Sequence, residues 1–220
     1  MTHVSLFTGI GGIDLAAEWA GFETILQVER DPYCQRVLEK HWPEVPRHDD
    51  IHSTDGRSIT ADLVSGGWPC QPFSTASRGR AVAESLWPAM LRLLGEIMPR
   101  WVLGENVQRK PMASAAADLA RLGYRSALLA IPAATVGAPH YRARWFLVAD
   151  HHSNAESAKP FYAAMASLSS CARLDTWQEP PDDLAVDDGL PAEVAQRLIG
   201  NSIMPQQVYP ILAAIAGMES

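Results

Sequence analysis

Short apolar runs alternate with longer amphipathic stretches along the first two thirds of the chain. Val4-Ser-Leu-Phe7 stops at the turn Thr8-Gly-Ile-Gly-Gly12, and Ile13 to Ala20 has helical character with Gly21 as its stop. Thr24-Ile-Leu-Gln-Val28 predicts a second strand ending at Glu29. Asp31 and Pro32 then predict the cap and first position of a helix reaching about His41. The rhythm repeats with a strand at Ala61 to Val64, the turn Gly66-Gly67, and an amphipathic helix from Leu86 to Met98. A strand at Trp101 to Gly104, a helix at Ala113 to Leu122, and strands at Ser126 to Ile131 and Arg144 to Val148 follow. Strands alternating with helices predict an α/β fold: a mostly parallel sheet, right-handed crossovers and helices on both faces.

From about Asp150 to Ala195 the alternation stops. Scattered serines and the acidic run Glu179-Pro-Pro-Asp-Asp183 predict an insertion or long loop there. Gly200-Asn-Ser-Ile-Met-Pro205 reads as a turn, and Val208 to Met218 as an apolar helix with Pro210 in its first turn. The expected organisation is a core over residues 1–149, a short segment over 150–195, and a C-terminal segment over 196–220 that returns to the core. No internal repeat is visible.

Composition narrows the class only a little. With 220 residues, 47% hydrophobic and 20% charged, the chain suits one packed soluble domain. It has no apolar run near the ~20 residues of a membrane span, and its first residues lack a secretory signal, so a cytoplasmic protein is expected. Three dispersed cysteines, Cys34, Cys70 and Cys171, argue against a disulfide scaffold, and no cluster predicts a metal site. The net charge of −7 speaks against a nucleic-acid partner. Between Arg78 and Arg144, however, cations outnumber anions, which predicts a basic face compatible with DNA.

Ligands of parallel sheets bind at the carboxyl ends of the strands. The unusual residues of this chain fall there: the glycine turn, Glu29, Asp50, Pro69-Cys70 and Glu105-Asn106. The turn and an acidic residue about 20 positions on fit either a nucleoside-containing cofactor or a merely tight turn. Cys70, held between prolines in Gly66-Gly-Trp-Pro-Cys-Gln-Pro-Phe-Ser74, fits either a presented nucleophile or a small buried hydrophobe. Cys34 and Cys171 read as buried hydrophobes.

Five blocks taken in order decide between these readings. Phe7-Thr-Gly-Ile-Gly-Gly12, Gly67-Trp-Pro-Cys-Gln-Pro-Phe-Ser74, Gly104-Glu-Asn-Val107, Gly137-Ala-Pro-His-Tyr-Arg-Ala-Arg-Trp-Phe146 and Gly200-Asn-Ser-Ile-Met-Pro-Gln-Gln-Val208 resemble the ordered motifs of the DNA (cytosine-5) methyltransferases. The resemblance spans nearly the whole chain. It implies a Rossmann-like S-adenosylmethionine-dependent methyltransferase fold and methyl transfer to C5 of a cytosine flipped out of duplex DNA, as in restriction–modification systems. It also implies S-adenosylhomocysteine as product, no metal, and double-stranded DNA as partner.

The resemblance assigns catalytic roles to Cys70 as nucleophile at C6, Glu105 at N3 of the base, and Arg142 and Arg144 as an Arg-x-Arg pair. Arg144 also begins a predicted strand, where an anchor suffices, so Arg142 carries the greater weight. The cofactor falls to Phe7, Gly9 and Gly11 at the methionine part, Glu29 at the ribose, and Arg30, Asp50 and Ile51 at the adenine. Pro69, Leu86, Asn201 and Ser202 complete that pocket. Gln71, Ser74, Arg78 and Arg80 are expected on the DNA, the last three in a loop from Ser74 to Glu84 that closes over the base.

Three departures from the pattern stand out. Arg30 occupies a position that is often apolar or aromatic, His140 stands where Gln is usual, and only about fifty residues separate the Arg-x-Arg and Gly-Asn blocks. So short a recognition segment implies limited specificity, recognition by the core, or a partner chain. A tRNA methyltransferase of the same family and a degenerate DNA-binding homologue are the alternatives.

Overall fold

The computed structural model describes residues 1–69, 85–151, 163 and 192–219. Seven strands form one sheet: β1 (Thr2–Leu6), β2 (Glu23–Val28), β3 (Arg47–His48), β4 (Leu63–Gly66), β5 (Trp101–Asn106), β6 (Arg125–Ile131) and β7 (Arg144–Asp150). Their order is β3-β2-β1-β4-β5-β7-β6. The first five in that order run parallel, and β7 lies antiparallel to both β5 and β6. The mostly parallel sheet is as expected. Its reversed strand is what a hairpin from β6 into β7 produces when β7 returns between β5 and β6.

Helices cover both faces: α1 (Gly12–Trp19), α2 (Pro32–His41), α3 (Trp87–Ile97), α4 (Arg109–Arg121), α5 (Ala192–Asn201) and α6 (Pro205–Glu219). The two cores follow from the two-residue repeat of the strands. On β5, Trp101 and Leu103 point to α1 and α6, where they meet Ile13, Ala17, Val208, Ile211 and Ile215. Val102 points the other way, to Met90 and Leu94 of α3 and Met112 and Leu119 of α4. β7 alternates likewise, with Phe146 and Val148 on the first face and Leu147 and Ala149 on the second.

Several boundaries differ from the sequence reading. Strand β1 begins at Thr2, ahead of the apolar run at Val4, because the α1 side of that strand is buried and polar. His3 is held by Thr24 Oγ1 at 2.9 Å and Ser65 Oγ at 2.8 Å. Burial lowers its imidazole to about 3, so the ring is neutral. Ser5 Oγ donates to Asp14 Oδ2 at 2.8 Å, and Gln27 Nε2 donates to Asp14 Oδ1 at 2.9 Å. Helix α4 begins four residues earlier than predicted, and α5 occupies residues assigned to a loop and a turn. Helix α6 starts at Pro205, which places Pro210 in its interior rather than its first turn.

Candidate active site

A cavity of about 740 Å³ opens at the carboxyl ends of β1, β2, β4 and β5. Its size suits a cofactor or small-molecule site, for which ~300–1,000 Å³ is usual. Phe7, Gly9, Glu29, Arg30, Asp50 and Ile51 line it. Pro69, Leu86, Asn201 and Ser202 line it too, so ten of the expected cofactor residues share one wall system. Gly11 stands apart. Its φ of +87° suits glycine, and an added Cβ would run into the Trp42 ring and Leu38, so it seats the start of α1 against α2.

The first turn is held in shape by Glu29. Its Oε2 accepts from Gly9 N at 2.7 Å and its Oε1 from Asp31 N at 2.7 Å. Asp31 in turn caps α2 through Tyr33 N at 2.8 Å and pairs with Arg197 of α5 at 3.0 Å. A carboxylate therefore stands at the cavity rim between two backbone donors. Phe7 takes φ +53° beside it, a strained setting for a residue other than glycine that costs about 1–3 kcal/mol.

Asp50 and Ile51 sit on a loop that α3 fixes. Arg92 Nη2 donates to Ile51 O at 2.8 Å and to Thr54 O at 3.1 Å, while its Nη1 pairs with Glu96. Glu96 accepts from Gly56 N at 2.9 Å. The sequence reading passed over Arg92, which sits on an amphipathic helix like any surface arginine. It also passed over α5, which brings Arg197 and Leu198 to the cavity.

At the end of β5, on the cavity wall, stands Glu105, only 8% exposed. It projects from β5 toward the α1 and α6 side, the side of Arg144 on β7. Arg144 Nε lies 3.0 Å from Glu105 Oε1, without the alignment of a hydrogen bond, so that oxygen has no hydrogen-bond donor among the described residues. Burial pushes the Glu105 carboxyl up to about 7, against the opposing pull of Arg144 and then Arg142. Gly67 forms the facing wall, where a Cβ would stand 3.0 Å from Glu105 Oε2.

The next residue, Asn106, faces the opposite side and is buried. Its Nδ2 donates to Trp68 O at 3.3 Å and its Oδ1 accepts from Gln108 N at 3.1 Å. It thereby anchors the segment that leads through Pro69 to Cys70. Cys70, Gln71, Ser74, Arg78 and Arg80 lie outside the described residues, as does Cys171. Cys34 is buried at the cavity wall, its thiol pushed up to about 12 by burial and then by Glu29 and Asp31, as suits an inert side chain.

The two arginines of the Arg-x-Arg block have different partners. Arg144 faces Glu105. Arg142, at φ +22°, donates from Nη2 to Gly200 O and Ser202 O, each at 2.7 Å. Much of the expected basic face is engaged by partners, with Arg92 and Arg121 still exposed. Arg92 holds a loop, Arg121 pairs with Asp118, and Arg125 pairs with the buried Asp150. Arg109 and Lys110, at the start of α4, remain exposed. Among the described residues no group of His, Cys, Asp and Glu is arranged to hold a metal ion, and no helix is long and apolar enough to cross a membrane.

Comparison with known proteins agrees with this geometry. DNMT2 of Spodoptera frugiperda superposes with a TM-score of 0.61 at 20% identity, covering 70% of this chain and 51% of that one, and so shares the fold. The Type II methyltransferase M2.BsuMI of Bacillus subtilis is 34% identical over 165 residues, which span 68% of this chain and 42% of the relative. M.AquIA of Picosynechococcus is 32% identical over 66% of this chain and 70% of its own length. The chain thus spans under half the length of the first of these curated relatives and more of the second. The family model for C-5 cytosine-specific DNA methylases matches residues 1–179. With that match over most of its length, the chain belongs to the C-5 cytosine-specific DNA methylase family.

Proposed function

We propose that the protein methylates C5 of cytosine in duplex DNA, with S-adenosylmethionine as methyl donor and Cys70 as the covalent nucleophile. The observation that carries this reading is Glu105. It is a buried carboxyl poised near 7 at the end of β5, beside Arg144 and on the wall of the cavity that Pro69 also lines.

The cavity fits the donor. Glu29 offers a carboxylate to a ribose, Ile51 and Leu86 offer apolar contact, and Gly9, with open space where a Cβ would stand, admits close approach. Arg30 supplies a guanidinium plane where an aromatic ring is commoner. When bound, S-adenosylmethionine supplies an electrophilic methyl group. The chain's own residues make C5 ready to accept it.

The Cys70 thiolate adds to C6, forming a C–S bond and moving electron density to C5. Glu105 holds a proton at N3, which draws charge from the ring during that attack. After C5 is methylated its proton departs to a base, the electron pair re-forms the ring double bond, and Cys70 leaves as thiolate. A cytosine within a duplex must be flipped out to reach these groups, and Gln71, Ser74, Arg78 and Arg80 are the residues proposed to meet the DNA around it. Residues 1–149 form the catalytic and cofactor core in this reading, 196–220 return to it, and the short 150–195 segment works with a partner chain in target recognition.

The test uses duplex DNA containing 5-fluorocytosine, which blocks loss of the C5 substituent and traps the adduct. Wild-type protein with S-adenosylmethionine is expected to form a covalent complex, and Cys70→Ala none. An adduct on tRNA with none on DNA overturns the DNA reading. A second expectation concerns Glu29. Glu29→Ala removes two charge-assisted hydrogen bonds from the first turn. With about 1.5–3 kcal/mol typical of such bonds, calorimetry should show S-adenosylmethionine bound about 10–100-fold more weakly.

A further inference from the structure

The turn between β6 and β7 has a left-handed arginine, Arg142 at φ +22°, where glycine would be at ease. Two external grips hold it there. Its guanidinium binds the Gly200 and Ser202 carbonyls ahead of α6. From the first turn of α6, Gln207 Nε2 donates to Ile131 O at 2.6 Å and to Arg142 O at 3.1 Å.

Gln207 is fully buried, and its Oε1 has no hydrogen-bond partner among the described residues. Its carboxamide is therefore oriented by the two carbonyls it serves. An apolar side chain of the same size would fill the space without leaving a bare acceptor, so packing alone does not account for a glutamine here. The identity of the two carbonyls is informative. Ile131 is the register partner of Arg144 across β6 and β7, and Arg142 precedes Arg144 by two residues. Gln207 thus ties both strands together at the point from which Arg144 reaches Glu105.

We propose that Gln207 is a positioning residue for methyl transfer: by pinning the Arg142 and Ile131 carbonyls to α6, it fixes Arg144 against Glu105. The inference rests on the reading of Glu105 as the group that meets the cytosine ring. The same junction carries Ser202, which lines the cofactor cavity, but its carbonyl is held by the Arg142 guanidinium and not by Gln207.

Among the described residues, the charged groups that bear on Glu105 are Arg144 from β7 and Arg142 from the turn, while Gly67 and Ile203 on the facing wall carry no charge. Both arginines hold the carboxyl down against burial. Loosening Arg144 must therefore move the Glu105 titration upward.

The test is made on the full chain with Gln207→Met, reading the Glu105 carboxyl by ¹³C NMR with the signal assigned through Glu105→Gln. The wild-type midpoint is expected near 7. In Gln207→Met it should rise by at least about half a pH unit, roughly threefold in proton affinity. An unchanged midpoint overturns the proposal.

In parallel, single-turnover methyl transfer to duplex DNA should slow by about tenfold with S-adenosylmethionine affinity held within about twofold. Weaker cofactor binding with an unchanged midpoint marks a merely structural glutamine and also overturns it. A wild type that transfers no methyl group sinks the proposed function, and the NMR titration still decides the role of Gln207. Gln207→Asn keeps the donors but withdraws them by one methylene. It carries the same titration, with the same outcomes, if the methionine variant does not fold.

Discussion

Glu105→Gln is expected to slow single-turnover methyl transfer by about 10²–10⁴-fold, the range typical of a lost general acid or base, with S-adenosylmethionine affinity changed little. Glutamine matches glutamate in size and keeps an N–H for N3, so the loss isolates the proton that the carboxyl supplies. The pH profile gives the sharper test. Burial sets the Glu105 carboxyl at about 7, so the acid form predominates below that pH and the carboxylate above it. Only the acid form holds a proton at N3. Loss of that proton above about 7 should therefore offset the gain from ionising the Cys70 thiol, so the wild-type rate should rise up to about 7, level off, and fall only once the thiol is fully ionised. In Glu105→Gln the levelling near 7 and the later decline should vanish and leave only the rising limb. A decline that persists in the variant assigns it to another group and removes Glu105 from this role.

The fold was legible wherever a local pattern decides it. Short apolar runs mark β5 and β7, Asp31-Pro32 marks the start of α2, and the glycine turn marks the end of β1. What local pattern cannot decide is partnership. β7 slots between β5 and β6 because of pairing across the sheet, and nothing in Arg144 to Asp150 announces its direction.

The site divides along the same line. Glu105, Phe7, Glu29 and Asn201 follow from motif order and line one cavity. The roles of Arg142 and Arg144 turn on which carbonyl or carboxylate each meets, which spacing does not reveal. Gln207 and Arg92 are polar residues on helices, where a solvated face is the ordinary expectation, and only tertiary contacts show what they hold. His3 and Asp14 were hidden for the converse reason. A polar residue in a strand or a first helical turn looks exposed until its partners across the sheet are known.

Asp14→Asn is expected to stabilise the protein at neutral pH, by about 1–3 kcal/mol. Asp14 stands in the first turn of α1, fully buried, with Ser5 and Gln27 as its donors. Those bonds favour the carboxylate, but burial outweighs them and raises the group from 3.8 to about 6. A folded value above the unfolded one means that the native state holds the proton more tightly. Below pH 3.8 both states are protonated and the native state has its full advantage; as pH rises from 3.8 to about 6 that advantage is lost, and above 6 the loss is complete. About two pH units at ~1.36 kcal/mol each give an upper bound near 3 kcal/mol. Asparagine escapes the loss because it carries no charge. It can still accept from Gln27, though its amide must meet the Ser5 hydroxyl as an acceptor, which offsets part of the gain at about 1 kcal/mol. Glu105 titrates in an overlapping, higher window but is common to both proteins, so it cancels in their difference. Urea unfolding of wild type and variant across pH 3.5 to 7.5 should therefore show curves that diverge between about 4 and 6 and run parallel above. Parallel curves throughout would mean that Asp14 titrates at its ordinary value in the native state. Divergence, with S-adenosylmethionine binding retained, would mean that the fold bears a buried acid beneath its cofactor turn at a real cost in stability. The hydrogen bond from Gln27 explains what the acid does there, since it ties the start of α1 to the strand that delivers Glu29 to the cavity.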